Sequence, residues 1–131
     1  LYMETGHEAR IIPLDGRPHL PSAASQWSGD SRGRWEGDTL VVDTVNFSSK
    51  ANFMGAGENL HLVERFTRVS SDAITYQMTF DDKTTWTRPW TAEMPLKRTD
   101  QRLFEYACHE GNYVMTQGVL GAAHARDRAR R

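Results

Sequence analysis

Apolar and polar residues alternate with a period of two through much of the middle of the chain, the mark of strands that bury one face. "AITYQMTF" (residues 73–80) is the cleanest case, with Ile74, Tyr76, Met78 and Phe80 on one side and Thr75, Gln77 and Thr79 on the other. "LHLVERFTRV" (60–69) sets Leu60, Leu62, Glu64 and Phe66 against His61, Val63, Arg65 and Thr67. Upstream, "RWEGDTLVVDTVNF" breaks at Gly37-Asp38 and continues as the β-branched run Thr39 to Val45, which favours a strand. "TTWTRPWTAEMPLKR" (84–98) carries Trp86, Arg88, Trp90, Ala92, Met94 and Leu96 in one register. Its Pro89 and Pro95 assign it to a sheet edge or a bulge, because proline donates nothing to a ladder. "RLFEYACHE" (102–110) predicts a last strand, with Phe104, Tyr106 and Cys108 opposite Leu103, Glu105, Ala107 and His109.

Turn residues punctuate these runs at Ser70-Ser71-Asp72 and Asp81-Asp82-Lys83, and "SSKANFMGAGEN" (48–59) reads as a loop. Residues 1–34 read as irregular, apart from a short hairpin that pairs 1–3 with 9–12 around Thr5-Gly6. Within them "SGDSRGR" (28–34) reads as turn chemistry. Residues 114–131 predict a short helix with a basic end, weakened by Gly118 and Gly121. Consecutive strands at this spacing predict an antiparallel meander. A sheet with one apolar face must curl or pack on a second layer. The expectation is a mainly β, single domain over 1–131: a small antiparallel barrel or strongly curved sheet, with 34–113 as its strand-rich core. The N-terminal segment and the helical or frayed tail 114–131 would cover its open edges.

A length of 131 residues fits one domain with one modest core. A formal net charge of −1 argues against a nucleic-acid trap. The arginines of "HARDRARR" are confined to the end, whereas nucleic-acid modules spread basic charge across the domain. No apolar run is long enough for a membrane-spanning helix. A lone cysteine makes no internal disulfide and leaves the redox compartment open.

Cys108-His109-Glu110 looks like chemistry, but strand neighbours point to opposite faces. A nucleophilic Cys–His pair needs hydrogen-bond contact, so Cys108 reads as a small core hydrophobe. His61 and His109 both oppose the main apolar register. With a carboxylate such as Glu64 or Glu110 they suit zinc, copper or non-haem iron, or an acid/base pair. The acid/base set is His61, His109 and Glu64; the metal set is His61, His109 and Glu110. The spacing contains no HxH, HExxH or CxxC pattern that would choose between them. Arg88 between Trp86 and Trp90 suggests a guanidinium against aromatic faces, a clamp for an anion or a polar ligand. Asp43 and Tyr106 complete that ligand set. The competing account makes the tryptophans core and the charges a solvated ladder.

The stretches "IIPLDGRPHLP", "GDSRGRWEGDTLVVDTVNF", "ENLHLVERFTRV", "TTWTRPWTAEMPL" and "FEYACHEGNY" cover most of residues 10–113. Together they resemble a family of exported proteins of soil bacteria to which no reaction is assigned. The resemblance implies that this chain is the C-terminal part of a longer exported protein, periplasmic or extracellular. It implies no catalytic residue. Three functions follow as expectations: binding of a small organic or sugar-like ligand in a cavity lined by Trp and Arg; an enzyme built on His61 and His109; a structural domain of the longer protein. The expected partners are a small ligand and, in the last case, another copy or the missing N-terminal region.

Overall fold

The structure is a computed structural model that describes residues 1–3, 8–104 and 113–129. It is mainly β. β1 (Tyr2–Met3) and β2 (Glu8–Ala9) form a small two-stranded sheet. β3 (Asp30–Glu36), β4 (Thr39–Val45), β5 (His61–Arg68), β6 (Ala73–Asp81) and β7 (Trp90–Lys97) form a five-stranded antiparallel sheet in sequence order. The chain divides into two compact units, one of Leu1 with Ala9–Gln101, the other of Tyr2–Glu8 with Arg102–Arg131. In the second, a π-helical stretch, Val114–Val119, leads into α1 (Leu120–Ala129). No residue of α1 is buried, and Arg126 and Arg128 lie in its last turn, where cations suit the helix dipole.

The meander is open. β3 and β7 are its two edges, and the sheet neither closes nor curls strongly, so the expected barrel is not what these strands form. The expectation that Pro95 marks an edge is met among the described residues: it lies in β7, paired there with Thr75 on one side only. The predicted last strand is not continued in its described part, since 102–104 are irregular, and 105–110 lie outside the described residues.

The residues read as turn chemistry, Asp30 to Arg34, are instead most of β3. Charge and glycine look like a loop, yet they alternate on a strand whose polar side chains are paired. Gly33 has a packing reason: a Cβ there would overlap Leu14 and come within 2.8 Å of Ile12 Cγ2. Gly33 N–H also donates to the Pro13 carbonyl at 2.9 Å. The strap of residues 12–14 thus lies against the exposed edge of β3, as the need to cover edges demands. The β3–β4 hairpin turns at Gly37, whose φ of 58° suits a residue without a side chain.

Register pairs put Leu62, Glu64 and Phe66 on the same face as Thr44, Val42 and Leu40 of β4 and as Phe80, Met78 and Tyr76 of β6. The faces predicted for these strands are therefore the observed ones. One end of this face holds the core. Phe80, Leu60 and Ala56 are buried there, packed by Phe47, Leu62, Met78, Trp86, Trp90 and Ala92. Phe80 stacks on Phe53 at 4.8 Å and on Trp90 at 4.4 Å, and Trp86 meets Trp90 edge-on at 5.4 Å. Burying side chains of this size stabilises by about 1.5–3 kcal/mol each.

The alternation read through 84–98 fails before Trp90. Asp82 caps a turn instead: its Oδ1 accepts the Thr84 N–H at 2.8 Å and the Thr84 hydroxyl at 2.5 Å. Its carbonyl accepts the Trp86 N–H at 2.8 Å. The turn folds Trp86 back against Trp90 and leaves Arg88 exposed.

Candidate functional site

The sheet's second face is hydrophilic and carries a line of paired ionisable side chains. β4 supplies Asp43 and β3 supplies Asp30 and Arg32; Arg32 sits directly opposite Asp43. β5 supplies His61, on the same face and diagonal to Asp43 through its partner Val63. The segment before β3 supplies His19. That segment is tied down by its backbone: Pro18 O accepts from Arg32 Nε at 3.0 Å, Leu20 N–H donates to Asp30 Oδ2 at 2.8 Å, and Leu20 O accepts from Asn46 Nδ2 at 2.8 Å.

His19 bridges two carboxylates, with Nδ1 3.0 Å from Asp30 Oδ2 and Nε2 2.9 Å from Asp43 Oδ1. An ionised carboxylate only accepts, so both bonds exist together only when the ring carries a proton on each nitrogen. Arg32 Nη1 donates to the other oxygen of Asp30 at 2.6 Å. The second oxygen of Asp43 lies 3.0 Å from His61 Nε2. Burial opposes ionisation of Asp43, but the hydrogen bonds from His61 and His19 outweigh it and hold its carboxyl below the usual range. Asp30 is held low in the same way, with Leu20 N–H, His19 and Arg32 overcoming its burial.

This arrangement orients His61. Asp43 accepts from Nε2–H, so Nδ1 is the nitrogen left to exchange a proton, and it has no partner among the described residues. The His61 side chain is 44% exposed, which leaves it open to a ligand. Asp81 lies directly across from His61 on β6, on the same face.

Acid should weaken this network. Groups whose carboxyl is depressed in the folded state stabilise it fully above the unfolded value near ~3.9, and lose that contribution as pH falls through the folded value. Urea midpoints measured between pH 7 and 2 should therefore fall steeply on the acid side. The fall should be shallower in Asp30→Asn/Asp43→Asn, and an unchanged acid slope in that variant would remove the network from the account.

The other sequence candidates scatter. Glu64 belongs to the opposite face, where it is buried at 1% exposure and bonded to Arg10 and Tyr76. It does not join His61. Trp86 and Trp90 pack in the core cluster. Arg88 is exposed and touches neither ring face, because the strand that would have aligned the three begins only at Trp90. Tyr106, His109 and Glu110, and with them the His61–His109–Glu110 metal set and the His61–His109 acid/base pair, lie outside the described residues. Among the described residues, no three His, Cys, Asp or Glu side chains are placed to hold a metal ion. Asp43 and His61 are thus the two ionisable sequence candidates that the described structure brings together, while Trp86 and Trp90 meet only as core side chains. His19, Asp30 and Arg32 were not legible as site residues. His19 sits in a proline-rich segment without periodicity, and Asp30 and Arg32 would have shown as one face only if 28–34 were read as a strand.

No protein-family model, curated protein or solved structure matches the chain. No helix among the described residues is long and apolar enough to cross a membrane.

Proposed function

We propose that this domain binds a small polar organic ligand, sugar-like in its hydroxyl groups, over the hydrophilic sheet face beside His61. The observation that carries the reading is the shared carboxylate: Asp43 holds two imidazoles, and one of them keeps an available nitrogen. Bonds to charged groups of this kind favour a ligand hydroxyl over water only when preorganised, and a ring clamped through Nε2 is preorganised. The seat differs from the expected Trp–Arg cavity, whose tryptophans are packed into the core.

The same pair supports a second reading, in which His61 serves as a general base oriented by Asp43. The exported setting implied by the family resemblance belongs to the proposal as well: a periplasmic or extracellular domain would meet free saccharides. Titrating the His61 ring signals by NMR with a panel of mono- and disaccharides tests it. A saturable shift at His61, weakened about tenfold or more in Asp43→Asn, is expected from the loss of a charged hydrogen-bond partner. No saturable shift with any member of the panel would overturn the saccharide reading.

A further inference from the structure

A second opening lies at the other end of the sheet, on the apolar face. A depression of about 400 Å³ lies between Arg68, Ile74, Leu96 and Arg98, with Asp72 in its lining. The register builds it. Arg68, Ile74 and Leu96 lie side by side across β5, β6 and β7 on one face. Ile74 and Leu96 are 37% and 38% exposed, an apolar floor left in contact with water.

The rim is cationic. Arg68 Nε donates to the Ser70 carbonyl at 3.1 Å, which fixes the guanidinium over the turn. Its terminal nitrogens have no carboxylate partner among the described residues. Arg98 is anchored by its backbone, N–H to Asp72 O at 2.7 Å, while its side chain reaches Asp100 only at 3.4 Å. The one acid in the lining, Asp72, is engaged by the Ser70 hydroxyl at 2.6 Å. Arg68 and Arg98 thus flank two exposed aliphatic side chains, Arg98 with a long contact to Asp100, while Lys97, paired with Ala73, belongs to the opposite face of β7.

We infer that this depression binds a small amphipathic anion, a free aliphatic carboxylate whose chain lies on Ile74 and Leu96 and whose head group meets Arg68 and Arg98. The apolar floor alone would hold any alkyl chain, and the cations alone any anion; the register that joins them selects a ligand with both parts. The site is separate in residues and in sheet face from His61.

The test uses the whole chain and octanoate, with octanol and acetate as the two half-ligands. Isothermal titration and amide NMR shifts should show saturable octanoate binding centred on Ala73, Ile74, Leu96 and Lys97. Octanol and acetate should each bind at least tenfold more weakly. Arg68→Ala and Arg98→Ala alter exposed side chains and should keep the unfolding temperature while each weakens octanoate about tenfold, the scale of one charged hydrogen bond. Equal binding of octanol would overturn the anion requirement. Binding only to phosphatidylglycerol vesicles, with none to free octanoate, would overturn the proposal in favour of a membrane surface. Shifts that never saturate would also sink it.

Discussion

Glu64→Ala should cost this domain about 3–5 kcal/mol, a large share of the roughly 5–15 kcal/mol that holds a domain folded. Glu64 is 1% exposed on the apolar face, between β4 and β6. Arg10 reaches it from the N-terminal segment with both terminal nitrogens, and the Tyr76 hydroxyl donates to it as well. Arg10 also contacts the Ser31 hydroxyl, which is joined to Thr44 at 2.9 Å. Removing the carboxylate leaves a guanidinium with only the long Ser31 hydroxyl contact, and a phenol that has lost its acceptor, in a mostly buried site. Burial and the neighbouring Glu64 already push the Tyr76 hydroxyl well above its ordinary pKa, so it remains a donor. Urea unfolding followed by tryptophan emission measures the loss. The double variant Arg10→Met/Glu64→Leu discriminates between causes: it should recover most of the stability, because two apolar side chains leave no orphaned charge. A loss below about 1 kcal/mol in Glu64→Ala would mean that water reaches the site and that the buried clamp is not formed in solution.

Phe80→Ala should cost a similar amount, about 3–5 kcal/mol, through a different cause. Phe80 is 5% exposed and lies in the aromatic cluster, stacked on Phe53 and Trp90 with Trp86 at its edge. Deleting the ring opens a cavity between side chains that come from the 51–60 loop, β7 and the 82–86 turn, so all three lose a common surface. The emission of Trp86 and Trp90 should shift to longer wavelength in the folded variant as water approaches the indoles. Phe80→Leu, which keeps most of the volume, should cost clearly less. If Phe80→Leu costs as much as Phe80→Ala, refilling the volume recovers nothing, and the cavity account gives way to the aromatic stacking on Phe53 and Trp90.

The two variants also separate what sequence reading found easily from what it missed. The apolar register Ile74, Tyr76, Met78 and Phe80 is visible because side chains alternate strictly on a strand, and β6 carries that pattern over its whole length. Glu64 was visible as a charge in an apolar register, but not its partner. Arg10 is 54 residues away, and no local pattern predicts which cation crosses that gap. The same holds for His19, which meets Asp43 across 24 residues. Asp30 and Arg32 were hidden by composition: glycine, serine and charge suggest a turn, yet the strap at Pro13, Ile12 and Leu14 needs a residue without a side chain at position 33 in the strand.

Local alternation, β-branched runs and turn residues therefore determined that this chain makes an antiparallel meander, which faces its central strands present, and that Pro95 sits at an edge. These are nearest-neighbour properties, set by the period of the backbone and by the residues that interrupt it. Tertiary structure alone decided that the sheet stays open, that Trp86 and Trp90 close the core rather than flank Arg88, and that Asp43 gathers His19 and His61. Each of those outcomes depends on contacts between segments distant in sequence, whose pairing is fixed by burial and charge compensation in three dimensions and leaves no periodic trace along the chain.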